Sequence, residues 1–310
     1  MEKTDRTRFP VLQERNKKKD CTVVLMWISD RWRDFCTLDA SGGEKLEMWG
    51  GYKLIRPDPQ AIWNTPKDGM WKNPSAHYHR SAKGGGSWEI FNLPEVFTVS
   101  YGELIFRLKP MSFKHTGLFP EQACNWDWAS NVISSSPVKN PKILNLFAYT
   151  GGASLACSKA GGSVCHVDAS KGRTQWAKEN AEACKISNIR FIVDDCVKFV
   201  TREIRRGNRY DAIIMDPPSY GRGPGGEVWK LENELYALLT LCLDVMSDKP
   251  LFFLLNSYTP GLSAGCMEYM LGVTVAKRFG GRVEASEIGL PVKKSGYVLP
   301  CGASARWTAG

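Results

Sequence analysis

Four short segments carry side chains that could do chemistry, and each follows an apolar run. The first is Asn145-Leu146-Phe147-Ala148-Tyr149-Thr150-Gly151-Gly152-Ala153. Its adjacent glycines let the backbone turn tightly and approach a ligand where a Cβ would clash. The spacing is neither the G-x-G-x-x-G of a dinucleotide site nor the G-x-x-x-x-G-K-[ST] of a P-loop, which disfavours ATP hydrolysis. Asp168 ends the second run. An acid there can accept hydrogen bonds from a ribose diol; it could also cap the next helix, although Ser170 is already available for that. Asp194, Asp195 and Cys196 end the third run, placed to meet an adenine amino group. The fourth segment is Asp216-Pro217-Pro218-Ser219-Tyr220, followed by a Gly-rich loop to Gly226. Its prolines stiffen the turn and remove two backbone donors. Carbonyls there can accept from an amino group, and Tyr220 can stack on a planar ring.

These segments need strands to hold them. From about residue 141 the pattern alternates between strand and helix. Strands are expected at 142–147, 164–168, 189–193, 212–216 and 251–255, with helices at 151–160, from Ser170 to about 184, around Val197, Val200 and Ile204, and along Leu231, Leu235, Leu238, Leu239, Cys242 and Val245. Strands alternating with helices at this spacing imply a parallel, doubly wound sheet with right-handed crossovers. Ligands bind beyond the carboxyl ends of such strands, where the four segments lie. Residues 21–110 read differently, with short apolar runs, many tryptophans and frequent turns. Leu104, Phe106 and Leu108 alternate with Ile105, Arg107 and Lys109, as in a half-buried strand. We therefore expect a smaller β-rich domain over 21–110, with a long loop around 64–86, and an α/β domain over 111–310. The first 20 residues, with Lys17-Lys18-Lys19, read as a basic flexible arm.

Taken in order, the segments resemble the class I S-adenosylmethionine-dependent methyltransferases. They are more closely similar to the bacterial 23S ribosomal RNA methyltransferase group that includes the large-subunit enzymes I and K. The resemblance covers about 110–310. It includes Lys114-His115-Thr116-Gly117-Leu118-Phe119-Pro120-Glu121-Gln122, similar to that group's H-K-T-G…D-Q segment. It implies a Rossmann-like fold and S-adenosylmethionine as cofactor. Phe147, Tyr149 and Gly151 would shape a methionine pocket, with Asn145 and Thr150 in the same motif. Asp168, followed by Ala169, would bind the ribose; Asp195, the Cys196 amide and neighbouring Asp194 would read the adenine. Thr116, Gly117 and Phe119 would cover the cofactor. Asp216, Pro217 and Tyr220 would face the target.

One position departs from the cytosine-methylating relatives. Methylation at a ring carbon needs a covalent Cys nucleophile, which in those relatives follows the fifth strand. Here that place reads Leu254-Leu255-Asn256-Ser257-Tyr258. Asn256 cannot attack, so methylation at a nitrogen is favoured, with Asn256 helping to orient the base. Cys301, near the C-terminus, remains as an alternative nucleophile.

Composition agrees with a soluble enzyme of a polyanion. The 310 residues carry 41 Lys and Arg against 32 Asp and Glu, a net charge of +9, and are 43% hydrophobic. No apolar run approaches the roughly 18 residues that span a bilayer, and the charged first 20 residues lack a secretory core, so a cytoplasmic location is expected. The ten cysteines show no C-x-x-C spacing and read as reduced thiols, several inside apolar helical patterns. His77, His79 and His115 lack acidic or Cys partners at ligand spacing, so no metal is expected. His166 lies in an apolar strand and reads as a core histidine. Basic groups at Arg202, Arg205, Arg206 and Arg209, at Lys277, Arg278 and Arg282, and at Lys293-Lys294 are candidate RNA contacts. So are His77, His79, Arg80 and Lys83, which interleave with Tyr78 and Trp88. The expected activity is methyl transfer to a base of structured, most readily ribosomal, RNA. A protein or small-molecule methyltransferase and a non-catalytic RNA-binding factor on the same fold stay open as alternatives. The sequence does not determine the oligomeric state.

Overall fold

A computed structural model describes residues 26–81, 85–222 and 228–310. The expected basic arm, Lys83 and Gly226 lie outside the described residues. The chain enters through β1 (Trp27–Ile28). It then builds an antiparallel-rich sheet from β2 (Phe35–Ser41), β3 (Glu44–Trp49), β4 (Tyr52–Pro57), β5 (Ala76–Arg80) and β6 (Gly86–Ile90). A hairpin of β7 (Phe97–Tyr101) and β8 (Leu104–Leu108) follows, then α1 (Ala123–Ser135). Leu104, Phe106 and Leu108 are all buried while Ile105 and Arg107 face out, as their alternation predicts. β5 falls inside the stretch expected to be a loop, because its pairing with β4 and β6, not its own sequence pattern, fixes it as a strand.

The remaining elements alternate: β9 (Lys142–Leu146), α2 (Gly152–Lys159), β10 (Ser163–Asp168), α3 (Lys171–Ala183), β11 (Ile189–Val193), α4 (Cys196–Arg205) and β12 (Ala212–Met215). A small ribbon of β13 (Tyr220–Arg222) and β14 (Val228–Lys230) leads into α5 (Leu231–Cys242), β15 (Phe252–Ser257) and α6 (Ala264–Leu271). The chain ends in the long hairpin of β16 (Arg282–Pro291) and β17 (Val298–Thr308). Side-chain caps start three of the helices: Ser170, Asp195 and Ser263 accept from the amides of Arg173, Lys198 and Cys266.

The large sheet has the order β1-β16-β17-β15-β12-β9-β10-β11. β9, β10, β11, β12 and β15 run parallel, as expected. β17 is antiparallel to both its neighbours, an addition to the parallel core that the sequence pattern does not reveal. Alternate residues of each central strand feed opposite faces. Ile143, Ile214 and Leu254 join one apolar cluster, whereas Leu144, Ile213 and Phe253 join the other. That two-sided burial explains their unbroken apolar runs. The chain winds outward from β9 through β10 to β11, then returns to place β12 on the other side of β9. The switch in direction opens a crevice at the carboxyl ends of β9 and β12.

Charges, too, are buried between the small sheet and the rest. Arg56 donates to both Glu47 oxygens, at 2.7 and 3.0 Å. Lys45 lies 3.3 Å from both Glu47 and Asp58. Glu47 is fully inaccessible, and the adjacent cations hold its carboxyl down at about 2 although burial opposes this. The cysteines are free among the described residues. Cys266 is exposed rather than buried in its helix, because α6 turns that face to solvent. No helix among the described residues is long and apolar enough to cross a membrane.

Candidate functional site

The loop leaving β9 is unusual in its backbone. Phe147 (φ 55°), Tyr149 (φ 52°) and Gly151 (φ 96°) all occupy the left-handed region. For the two aromatic residues this costs of order 1–3 kcal/mol each, and such strain clusters at functional sites. Asp168, at the end of β10, helps to hold the loop. Its Oδ2 accepts from the Tyr149 amide at 2.9 Å and its Oδ1 from the Ser170 amide at 2.8 Å. Burial nonetheless pushes its carboxyl above the ordinary range. Gly152 could not carry a side chain, since a Cβ would lie 2.5 Å from the Trp126 ring. α2 then begins with no side-chain cap, which leaves the amides of its first turn unsatisfied by side chains.

Segment 114–122 folds over this loop. Thr150 Oγ1 donates to the Gly117 carbonyl at 2.5 Å, and Asn180 Nδ2 donates to the Thr150 carbonyl at 3.0 Å. Phe119 packs its ring 5.3 Å from Tyr149 and 5.5 Å from Tyr258, with His115 5.2 Å away on another side. Burial and the nearby cations Arg56, Lys114, Lys45 and Arg173 depress His115 to about 3, so it is neutral at pH 7. Thr116 is fully buried, and its hydroxyl has no hydrogen-bond partner among the described residues.

Between loop and segment lies a cavity of about 50 Å³. Phe119, Asn145, Phe147, Tyr149, Thr150, Asp216 and Asn256 line it, all residues picked out by the sequence pattern. Asp216 is half-buried; desolvation and the Glu121 charge push its carboxyl up to about 7. Asn256 Oδ1 is occupied by the Asn125 amide (3.0 Å) and the Ser304 hydroxyl (2.6 Å), leaving its amide nitrogen as the donor.

Other expected site residues lie apart from the cavity wall. Thr116, Gly117, Gly151, Asp168, Ala169, Asp194, Asp195, Cys196, Pro217 and Tyr220 do not line it. Asp194 pairs with Arg202, and Asp195 spends one oxygen on capping α4. The Cys196 thiol is buried, which pushes it well up. Tyr220 is about half exposed on β13. The Pro218 carbonyl is not open to a ligand, because Trp229 Nε1 donates to it at 2.7 Å. Sequence reasoning did not single out Trp126, which lines the cavity one helical turn after Gln122. The i,i+4 spacing from Gln122 was the available signal. A larger open cleft of about 870 Å³ runs along α1 and the β7–β8 hairpin. Pairs such as Arg31–Asp127 and Lys159–Glu103 neutralise its charges, and it contains none of the strand-end residues.

Pairing also redraws the basic clusters. Arg202, Arg206, Arg278, Arg282 and Lys294 all have carboxylate partners. His77 and His79 bind Glu44 and Glu89, and Tyr78 is buried. His166 is buried in the core, hydrogen-bonded to Ser154, as expected.

The geometry can now be set beside known proteins. A family model described as S-adenosylmethionine-dependent methyltransferase matches residues 76–233. A solved SAM-dependent methyltransferase from Agrobacterium tumefaciens is 36% identical, with a TM-score of 0.87 over 93% of this chain and 94% of that one. Ribosomal RNA large subunit methyltransferase K/L of Pseudoalteromonas atlantica is 35% identical over 138 residues, 43% of this chain and 18% of its own length. Ribosomal RNA large subunit methyltransferase I of Escherichia coli O9:H4 is 37% identical over 94 residues, 29% of this chain and 24% of its own. The chain thus spans about a fifth to a quarter of these curated relatives. With a crevice at the switch between β9 and β12, and the family model matching the segments that form it, the chain belongs to the S-adenosylmethionine-dependent methyltransferase family.

Proposed function

We propose that this protein transfers the methyl group of S-adenosylmethionine to a nitrogen of an RNA base, with ribosomal RNA as the acceptor. The observation that carries the chemistry is the cavity at the β9–β12 switch, with Asp216 and Asn256 on its acceptor side. The relatives' names supply the acceptor class. The residues fit the cofactor. Asp168 keeps lone pairs free for a ribose diol beyond its two amide bonds. The uncapped first turn of α2 suits a carboxylate, and the unpartnered Thr116 hydroxyl offers a further polar contact. The bound cofactor supplies an electrophilic methyl on a sulfonium. The chain's own task is to exclude water and align the acceptor lone pair. Asn256 donates to the base, and the Asp216 carboxylate and the Asp216-Pro217 backbone accept from it.

A nitrogen acceptor needs no covalent thiol. The Cys301 thiol donates to its neighbour Leu299's carbonyl at 3.4 Å, and burial pushes it well up. Tritium transfer from labelled cofactor to bulk ribosomal RNA tests the activity. Cys301→Ser is expected to retain it fully; a dead variant with intact cofactor binding would instead favour carbon methylation.

Asp216 adds a second expectation. A sulfonium beside a carboxyl that titrates near 7 draws its pKa down, so binding releases a proton. S-adenosylmethionine should therefore bind more tightly at about pH 8 than at about pH 6, by up to about tenfold in all, since only one unit of that window lies below the free carboxyl's pKa. The neutral thioether product should show far less change. Calorimetry with both ligands at both pH values decides; parallel pH profiles would place the sulfonium away from Asp216.

A further inference from the structure

The segment 109–116 is a closed loop whose tip, unlike Thr116 at its end, has no part in the reaction chemistry. Backbone bonds from Lys109 N to the Thr116 carbonyl (3.2 Å) and from Met111 N to the His115 carbonyl (3.1 Å) pin its two arms together. Its tip is Ser112-Phe113-Lys114, and Phe113 is 57% exposed there. The tip is fastened to the small sheet. Trp88 Nε1 on β6 donates to the carbonyls of Met111 (2.9 Å) and Phe113 (3.1 Å). Arg56 donates to the Lys114 carbonyl at 3.1 Å. An exposed phenylalanine on a backbone fixed at this many points is not there to fill a core.

Beside it stand cations with no carboxylate. Lys114 donates to the Pro57 carbonyl at 3.1 Å, and among the described residues neither it nor exposed Arg80 has an ion-pair partner. The acid that acts on Lys114, Asp58, already pairs with Lys45 at 3.3 Å. The loop also abuts the site, since Tyr149 OH reaches Met111 Sδ at 3.3 Å and His115 stacks on Phe119. An aromatic face flanked by unneutralised cations is what a single-stranded nucleic acid recognises. Bases stack whatever their sequence, and phosphates take the charge.

We infer that the 109–116 loop is a docking finger for single-stranded RNA at the mouth of the site, with Phe113 stacking a nucleobase and Lys114 and Arg80 holding an adjacent phosphate. This rests on RNA as the acceptor and gives that reading a binding surface. It also replaces the histidines of β5, which are occupied by Glu44 and Glu89, with exposed Phe113 and Arg80 and with half-buried Lys114, none of them held by a carboxylate among the described residues.

The test is fluorescence anisotropy of a labelled single-stranded RNA of about 15 nucleotides, titrated across a range of salt. Phe113→Ala is expected to weaken binding about tenfold, because one base no longer stacks. The double variant Lys114→Gln/Arg80→Gln should lower the slope of log affinity against log salt by about 0.7 for each phosphate that the protein no longer neutralises. Calorimetric affinity for S-adenosylhomocysteine should stay within about twofold in both. Wild-type affinity in Phe113→Ala, or an unchanged salt slope in the double variant, would overturn the finger while leaving RNA as the acceptor. A matched loss of S-adenosylhomocysteine binding would also overturn it, by making the loop a structural part of the cofactor pocket. Equal binding of polyglutamate and RNA by the wild type would refute stacking. No salt-dependent RNA binding by the wild type would remove both the finger and the RNA acceptor.

Discussion

Asp168→Ala is expected to reduce affinity for S-adenosylhomocysteine at least about 100-fold in calorimetry. The side chain has two tasks. It holds the β9 loop by accepting the Tyr149 and Ser170 amides, and in the proposed role it also accepts from the ribose. Removing it leaves two partly buried donors without an acceptor, at about 1–3 kcal/mol each. It also frees a loop whose Phe147 and Tyr149 sit in strained conformations. Asp168→Asn separates the tasks, since its amide oxygen can still take one loop donor. The asparagine variant should fold with near wild-type stability and still bind weakly. Unchanged affinity in the alanine variant would move the pocket away from β10.

Glu47→Ala is expected to destabilise the protein by about 3–5 kcal/mol, the usual cost of breaking a buried pair and leaving its partner charged. Here the stranded cations are Arg56 and Lys45, both buried. Denaturant unfolding at neutral pH measures the loss. The pH dependence has a definite sign. The folded-state pKa of Glu47, about 2, lies below the ordinary carboxyl value, so its stabilisation is present above about pH 4.5 and fades as pH falls toward 2. The gap between wild type and variant should therefore narrow on acidification. Replacing Lys45, Glu47 and Arg56 together by apolar residues should recover most of the loss. A single-variant cost below about 1 kcal/mol would mean that water reaches the cluster.

The parallel core was legible because its central strands, β9, β10, β12 and β15, are buried on both faces and therefore largely apolar, and edge strand β11 is mostly apolar too. β9, β10, β11 and β12 lie within a residue or so of where Leu144, Val167, Ile192 and Ile213 suggest. The strand-end residues were legible for the same reason: once the strands are placed, their carboxyl ends follow. The C-terminal hairpin was not. β16 opens with polar residues and β17 contains Pro300 and Gly302, so neither shows a clean period of two. What makes them strands is pairing with each other and with β15. The charged interior was hidden as well. Lys45, Glu47, Arg56 and Asp58 have the composition of a solvated surface, and only the fold brings them out of water. The basic clusters were legible only in part, because a sequence displays each cation without the carboxylate that will meet it, as at Arg202, Arg278 and Lys294.

The order of the large sheet has a consequence for how the protein is made. β1 lies near the start of the sequence, yet its one strand partner among the described residues is β16, Trp27 facing Ile288. At about 5–20 residues per second of synthesis, roughly 13–52 seconds separate the two partners' appearance. Throughout that interval Trp27 has no strand to pair with. Arg306, whose guanidinium lies 3.6 Å from the Trp27 ring centroid, emerges later still. The edge of the catalytic sheet is therefore sealed only once β16 and β17 have emerged, and nascent chains stalled before β16 should expose it to chaperones and proteases.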